Sequence, residues 1–204
     1  MSETAASHPL CSTDEISGRL EELQLTLGEG PCVAAFTQQS AVLTPDLRNG
    51  DLQDHWPVFA DAALEAGARA VFSFPLQVGA ISPGVLDLYA HAPGTLNVEE
   101  LADALAFADM ATLVLLDTQI DATGAPRDED TAHEDTEDVG GYRAEIDQAT
   151  GVLTIQLGIG IEDAFIRLRA YAFAHGRHLA DVATDVVSQR LHLADDTDPA
   201  DRDD

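Results

Sequence analysis

Residues 146–187, IDQATGVLTIQLGIGIEDAFIRLRAYAFAHGRHLADVATDVV, decide the fold of the C-terminal part of the chain. Three apolar stripes at helical spacing are separated by Gly158 and Gly176, and glycine is a common helix end. The stripes are Tyr142, Ile146, Ala149, Leu153 and Leu157; Ile161, Ala164, Phe165, Leu168 and Tyr171; and Leu179, Val182, Ala183, Val186 and Val187. Helices of this length are marginal alone in water, so they must pack together. The pattern predicts an all-α three-helix bundle.

A hairpin organises the N-terminal part of the chain. Residues 68–78, ARAVFSFPLQV, and residues 84–90, GVLDLYA, are rich in strand-forming residues and flank the turn-prone GAISPG. Asn97 and Glu100 fit a capping box, and the stripe that follows predicts a helix from Val98 to about Gln119. The stripe consists of Leu101, Leu105, Ala108, Thr112 and Leu115. Strands followed by a helix that packs on them predict an α+β domain with an antiparallel sheet and flanking helices.

Charge divides the chain into segments. The net charge is −27, and all ten basic residues are arginines. Residues 121–140 carry −7 and residues 194–204 carry −5, and neither segment has apolar periodicity. Residues 141–193 carry only −1. We therefore predict a domain over 1–120, an acidic linker over 121–140, the helical domain over 141–193, and a disordered acidic tail over 194–204.

The stretch LGEGPCV at residues 27–33 has three interpretations: a nucleophile turn, a phosphate-binding loop or a structural corner. A reactive thiolate needs a nearby histidine, cation or helix N-terminus, and the sequence around Cys32 offers neither of the first two. A phosphate loop is disfavoured because the Gly-Lys-Ser/Thr ending is absent and Pro31 has no backbone N–H. We therefore expect a structural corner, in which Pro31 begins a helix and Cys32 packs as a small hydrophobe beside Val33 and Phe36.

Two segments resemble known domain families. LGEGPCVAAFTQQSAVLTPDLR, HWPVFADAALEAGARAVFSFPLQVG and GVLDLYA resemble the GAF domains of actinobacterial regulators, with a shortened N-terminus and a sheet that is expected to be incomplete. Residues 146–187 resemble the ANTAR domain, an RNA-binding three-helix module of transcription antiterminators. The resemblance implies a GAF-ANTAR regulator that binds hairpin loops in nascent transcripts. The sequence departs from the ANTAR pattern at Thr150, where the family usually has lysine, and at Gly160, where it usually has serine.

Candidate RNA-binding residues flank the turn between the second and third helices of the bundle. They are Arg169, Arg177, Arg167, His178 and Tyr171, of which Arg169 and Arg177 match basic positions of the family. Guanidinium groups and aromatic rings are what proteins use to contact exposed RNA loops. The alternatives are that Tyr171 belongs to the core and that the arginines are ordinary solvated charges. Gly151, in the middle of the first helix, serves either close helix packing or the approach of RNA.

The remaining expectations concern chemistry and assembly. The histidines lack metal-ligand spacing, so neither a metal nor a cofactor is expected, and Asp87 faces either a ligand pocket or water. Without a signal-like segment, a cytoplasmic, non-catalytic regulator is predicted. Leu113, Val114 and Leu116 lie off the stripe of the 98–119 helix, which predicts a homodimer. The GAF-like domain would sense an unidentified small molecule or dimerise. The alternative function is a protein-interaction module that does not bind RNA.

Overall fold

The computed structural model describes residues 9–50, 55–124 and 135–193, with side chains described for all of these except 118–124 and 135–143. The chain forms two compact units, Cys11–Ala132 and His133–Asp204, the latter grouped with Met1–Leu10. The N-terminal unit contains α1 (Glu15–Leu27), α2 (Pro31–Gln38), β1 (Val42–Thr44), α3 (Pro57–Glu65), β2 (Ala70–Val78), β3 (Ile81–Ala90) and α4 (Val98–Gly124). The C-terminal unit contains α5 (Asp135–Leu157), α6 (Ile161–Ala174) and α7 (Leu179–Val187).

The N-terminal unit is built on a three-stranded antiparallel sheet in the order β1-β2-β3. Strand β2 pairs with β3 over nearly its whole length, with Ser73 opposite Asp87, so the predicted hairpin is confirmed. Its turn is shorter than expected, because β3 already begins at Ile81 within the GAISPG segment. The pairing of β1 with β2 was not predicted, since three residues are too few to show a strand pattern.

Alternation along β2 creates two cores in this unit. Phe72, Phe74 and Leu76 pack with Ala104 and Ala108 of α4 on one side of the sheet. Val71, at an odd position, packs on the other side with Leu20 of α1, with Phe59 and Ala63 of α3, and with Leu47 and Trp56 from the segment between β1 and α3. The period of two in the side-chain direction of a strand accounts for this division. Ser73, a polar residue at one of the odd positions, is fully buried.

The corner at residues 27–33 connects α1 to α2. Gly28 ends α1 with a left-handed φ of 66°, and Pro31 is the first residue of α2, as predicted. Gly30 has a φ of 130°, and a Cβ added there would overlap the buried Gln24 side chain, whose Cγ would be 2.9 Å away. Glu29 accepts hydrogen bonds of 2.9 Å from the N–H groups of Val58 and Phe59 at the start of α3. These contacts explain how residues 27–33 form a structural corner between α1 and α2.

Helix α4 begins with the predicted capping box. Asn97 Oδ1 accepts from the Glu100 N–H at 3.0 Å, and Glu100 Oε2 accepts from the Asn97 N–H at 2.8 Å. The predicted stripe is partly wrong, because Leu105 is 48% exposed while Ala104 is buried instead. The helix also continues to Gly124, which is beyond the predicted end at about Gln119.

The C-terminal unit consists of three helices, as the apolar stripes predict. Ile146, Ala149 and Leu153 of α5 are buried, as are Leu179, Val182, Ala183 and Val186 of α7. In α6 the buried residues are Ala164, Phe165, Leu168 and Ala172, so the expectation that Ile161 is core is wrong. Ile161, the first residue of α6, is 57% exposed.

The acidic segments fall mainly outside the described residues. Residues 125–134 of the predicted linker and the whole predicted tail, 194–204, are not described. On either side of 125–134, α4 extends to Gly124 and α5 begins at Asp135. Within the described part of the chain, no single helix is long and apolar enough to cross a membrane; α5 and α6 reach that length and composition only together, across a bend of 108°.

Candidate nucleic-acid interface

Arg169 lies on α6, one turn after Phe165. Its guanidinium carbon is 5.5 Å from the centroid of the Phe165 ring, which is a cation–π arrangement. Burial lowers the pKa of Arg169, but an arginine remains charged at physiological pH. The ring of Phe165 therefore restricts the guanidinium group, which reduces the conformational entropy that it loses when it contacts a ligand.

Arg177 lies between α6 and α7 and forms an ion pair with Asp185 of α7. Its Nη2 atom is 2.7 Å from Asp185 Oδ2, and Arg190 Nε approaches Oδ1 of the same carboxylate at 2.7 Å. Hydrogen bonds from these two arginines lower the pKa of Asp185. The Asp185 carboxylate thus neutralises part of the positive charge of Arg177, which was predicted to bind RNA.

Tyr171 is half-buried, so it does not belong to the fully buried core of the unit. Its ring stacks on His175, with centroids 3.9 Å apart and planes inclined by 21°. His175 Nδ1 also lies 2.9 Å from the Tyr171 carbonyl oxygen. One face of the Tyr171 ring is therefore covered by the imidazole. Arg167 on α6 and His178, the N-cap residue of α7, are both exposed.

Phe173 is an exposed aromatic residue that the sequence analysis missed. Its side chain is 51% exposed on α6, four residues after Arg169 and four before Arg177. Residues four apart lie on the same helix face, so Phe173 shares a face with Arg169. A signal was present in the sequence, because Phe173 lies five positions after Leu168 and so falls off the apolar stripe. We call Arg169 and Phe173 the α6 surface.

Thr150 and Gly151 are neighbours in α5, and Thr150 stands where the resembled family usually has lysine. Thr150 is only 5% exposed, and its hydroxyl donates to the Ile146 carbonyl at 2.7 Å. The position that usually carries lysine is therefore mostly buried here. Gly151 has no neighbour within 4 Å of an added Cβ. The preferred interpretation of Gly151, close helix packing, is therefore wrong for the described residues.

A half-buried polar cluster lies in the N-terminal unit, on the side of the sheet that carries α1 and α2. The ligand atoms of Glu21, Cys32 and Asp87 all lie within 4.8 Å of one another. The expectation that Cys32 packs as a small hydrophobe is thus wrong, because two carboxyl groups adjoin its thiol. The sequence placed Asp87 on an alternating strand, but the pairing with α1 and α2 residues more than 50 positions away carried no local signal.

Hydrogen bonds fix the acids of this cluster. Gln24, which is buried, donates to Asp87 Oδ2 at 3.2 Å and to the Tyr89 hydroxyl at 3.0 Å. The Tyr89 hydroxyl donates to Glu21 Oε1 at 2.9 Å. Gln24 Oε1 also accepts from the Cys32 N–H at 2.8 Å, so one side chain joins α1, α2 and β3.

Burial dominates the electrostatics of the cluster. It raises the pKa of Glu21 to about 9, with a further contribution from Asp87, and it raises the pKa of Asp87. The pKa of the Cys32 thiol is also raised by burial and by the two carboxyl groups, so the thiol is protonated at neutral pH. A protonated, buried thiol is a poor nucleophile.

The C-terminal unit consists of three packed helices with arginine and aromatic side chains exposed on α6. In sequence comparison, residues 141–187 match the ANTAR domain. This match supports RNA binding and antitermination regulation as the class of function. No curated protein and no solved structure matches the chain. The GAF resemblance of the N-terminal unit stays a prediction.

Proposed function

We propose that the protein is a cytoplasmic transcription regulator that binds RNA hairpin loops in nascent transcripts and acts by antitermination. The observation that carries this proposal is the ANTAR domain at residues 141–187. RNA loops present unstacked bases and phosphates, which are recognised by aromatic and guanidinium groups. The α6 surface offers both, with Phe173 exposed and Arg169 held over the ring of Phe165. Arg177, Arg167, His178 and Tyr171 flank this surface and complete the proposed contact region.

Gly151 supports an RNA contact on α5 as well. Glycine in a helix interior costs about 1 kcal/mol relative to alanine. Because no described neighbour requires the absence of a side chain there, we assign that requirement to the approach of RNA. This interpretation was the second of the two that the sequence left open.

The decisive experiment is fluorescence anisotropy with the full chain and a two-hexaloop RNA hairpin at low salt. We expect the hairpin to bind at least tenfold more tightly than a random RNA of equal length. Arg169→Ala should weaken hairpin binding about fivefold to twentyfold, since charged and stacking contacts to RNA each contribute on the order of 1–2 kcal/mol. Arg19→Ala, which removes an exposed arginine from α1, is the matched control and should bind normally.

The second candidate function is a protein-interaction module without RNA binding. It is favoured by the buried Thr150 and by the ion pair between Arg177 and Asp185, which together reduce the positive charge available to RNA. Equal affinity for the hairpin and the random RNA would support this candidate and exclude the first. A normal affinity for Arg169→Ala, with specific hairpin binding retained, would instead show that the contact surface is misplaced.

For the N-terminal unit we propose a GAF-like role in sensing or dimerisation, with a homodimer formed through α4. Besides Val98 in its first turn, the helix exposes five large apolar side chains by 48–65%: Leu105, Phe107, Met110, Leu113 and Val114. Exposed apolar surface of this kind favours association. Light scattering should give twice the chain mass of 21.7 kDa at micromolar concentration. Leu113→Glu should give the monomer, and a monomeric wild-type protein would contradict the proposal.

We also propose that the protein is not an enzyme. The support is the environment of Cys32, whose pKa is raised by burial. Iodoacetamide should label the exposed Cys11 readily near neutral pH, whereas Cys32 should react only in denaturant. Rapid labelling of Cys32 in the folded protein would favour a thiol-based activity.

A further inference from the structure

The Glu21–Cys32–Asp87 cluster concentrates acidic groups where water is scarce. Its two carboxyl groups and one thiol come from three separate elements, α1, α2 and β3, and their ligand atoms lie within 4.8 Å of one another. The pKa values of four groups in this region are raised: those of Glu21, Cys32, Asp87 and Tyr89. No arginine or histidine is among the groups that act on these pKa values. Buried carboxylates are costly unless a cation or a proton compensates them.

Two buried atoms at this cluster, Asp87 Oδ1 and the hydroxyl oxygen of Ser73, make no hydrogen bond of good geometry among the described residues. Burial raises the pKa of Asp87, and the adjoining side chains of Ser73, Glu21 and Cys32 oppose that rise, so the two atoms have polar neighbours but no well-formed hydrogen bond. Ser73 is 0% exposed and lies directly opposite Asp87 in the β2–β3 pairing, so both side chains project from the same side of the sheet. Orphaned buried polar atoms are rare in folded proteins and often mark an ion or a ligand. Both atoms carry lone pairs that a bound cation would accept.

We propose that Glu21, Cys32 and Asp87 form a binding site for a divalent transition-metal ion of the zinc type. The thiol selects against Mg²⁺ and Ca²⁺, which prefer oxygen ligands, while carboxylate oxygens and thiolate sulfur are both ligands of Zn²⁺. With Zn–S bonds of about 2.3 Å and Zn–O bonds of about 2.0–2.2 Å, the ligand atoms of a tetrahedral ion are about 3.5 Å apart. The three ligand atoms all lie within 4.8 Å of one another, so side-chain rotations of about 1 Å would bring them to that spacing. Three protein ligands leave a fourth position, which the adjacent Ser73 hydroxyl or water would fill.

The hydrogen bonds around the cluster suit this arrangement. Gln24 holds Oδ2 of Asp87, and Tyr89 holds Oε1 of Glu21. Partners of this kind orient ligands and are typical of protein metal sites. The two carboxyl groups also interact with each other, and a metal ion would take the place of the proton between them. Binding replaces protons: the ion forms a bond to Cys32 Sγ as the S–H bond breaks, and the proton leaves to solvent, as do protons held by the carboxyl groups.

The sequence analysis expected no metal because it considered histidine spacing. The three ligands are instead 11 and 55 positions apart along the chain and meet only through the fold. The consequence for function is that metal binding would join α1, α2 and β3 at one point. The N-terminal unit would then respond to metal availability, which goes beyond RNA binding by the C-terminal unit.

The test is titration of the reduced, tag-free full chain with Co²⁺, which substitutes for Zn²⁺ and reports its ligands by absorption. We expect a thiolate-to-cobalt charge-transfer band in the near ultraviolet that saturates at one ion per chain and disappears when Zn²⁺ is added. Cys32→Ser should remove this band, and Asp87→Asn should weaken Co²⁺ binding at least tenfold. Cys11→Ser, which removes the exposed cysteine, should behave like the wild type.

Circular dichroism and thermal unfolding establish that each variant is folded before its titration is interpreted. Excess Zn²⁺ should raise the unfolding temperature of the wild type and of Cys11→Ser, but not that of Asp87→Asn. The proposal is overturned if the wild type shows no charge-transfer band, if Cys32→Ser keeps it, or if Cys11→Ser loses it. Glu21→Gln supplies a second carboxyl variant, and wild-type affinity in both carboxyl variants would also exclude the site.

Discussion

Gly151→Ala separates two contributions of one residue, to the stability of α5 and to RNA binding. The residue lies inside α5, where alanine is favoured over glycine by about 1 kcal/mol. Apart from the backbone of its own helix and its chain neighbours, no described residue has an atom within 4 Å of an added Cβ, so no steric term opposes this gain. We therefore expect the C-terminal unit to be stabilised by about 1 kcal/mol. Glycine at this position therefore lowers the stability of the unit, and a contact with another molecule would explain why it is present.

Native-state hydrogen exchange of the full chain is the appropriate assay, since the two units need not unfold together. A gain of about 1 kcal/mol slows exchange of the α5 amides about fivefold where they open with the unit. Gly158→Ala, at the residue that follows the last residue of the same helix, is the matched control. Gly158 has a φ of 66°, so alanine there should be destabilising by about 1 kcal/mol and should speed exchange. The two glycine variants should therefore differ in sign.

The RNA affinity of Gly151→Ala completes the test. If RNA approaches the helix here, a methyl group should weaken hairpin binding about fivefold or more while stability rises, because close backbone approach is lost. Faster exchange in the variant would refute the inference that the site has room. Slower exchange with unchanged affinity would place Gly151 away from the RNA and leave its presence unexplained by the described structure.

Three further predictions follow from the contacts. Gly30→Ala should destabilise the N-terminal unit by about 1–3 kcal/mol in denaturant unfolding, because it adds a clash with Gln24 to a strained φ. Gly94→Ala is the control and should be close to neutral, since apart from its chain neighbours no described residue lies within 4 Å of an added Cβ there. Asp185→Asn should tighten hairpin binding about threefold by releasing Arg177, but it should reduce stability at neutral pH. Hydrogen bonds from Arg177 and Arg190 lower the pKa of Asp185 in the folded protein. The ionised carboxylate therefore stabilises the fold above the pKa that Asp185 has in the unfolded chain, and this stabilisation is lost as the pH falls through its pKa in the folded protein. The difference in stability between the wild type and Asp185→Asn should therefore vanish in acid. Finally, the slope of log affinity against log salt should lie nearer −2 than −6, because roughly two or three arginines reach phosphates; a slope near −6 would contradict the assignment.

The helices and the hairpin were predictable because their signals are local. The stripes of α7 and the capping box at Asn97 depend on residues within a few positions of one another, and both appear as expected. The error at Leu105 has the same origin, since a stripe in the sequence defines a face only to within about one residue. Which of two adjacent residues is buried is decided by the sheet that packs against α4, and the sequence of the helix does not contain that information.

The candidate sites were less predictable because they depend on contacts between distant residues. The ion pair of Arg177 with Asp185 removes charge that a count of arginines had assigned to RNA. Cys32 was interpreted from its sequence neighbours, whereas Glu21 and Asp87 determine its environment. In both cases the residue types were noticed, but the partners that set their electrostatics came from other elements of the fold.

The charge distribution restricts how this protein can hold RNA. The C-terminal segment 141–193 carries −1 of a total of −27, so the whole chain repels a polyanion at long range. At physiological ionic strength the Debye length is about 8 Å, and repulsion from more distant acids is largely screened. Counterion release can then supply only a small part of the affinity, and short-range contacts must supply the rest. An exposed aromatic ring is effective at that range, since stacking on a base is independent of net charge. For this reason we expect Phe173 to contribute more to the affinity for RNA than either Arg167 or Arg177, although its ring carries no charge that would have drawn attention to it.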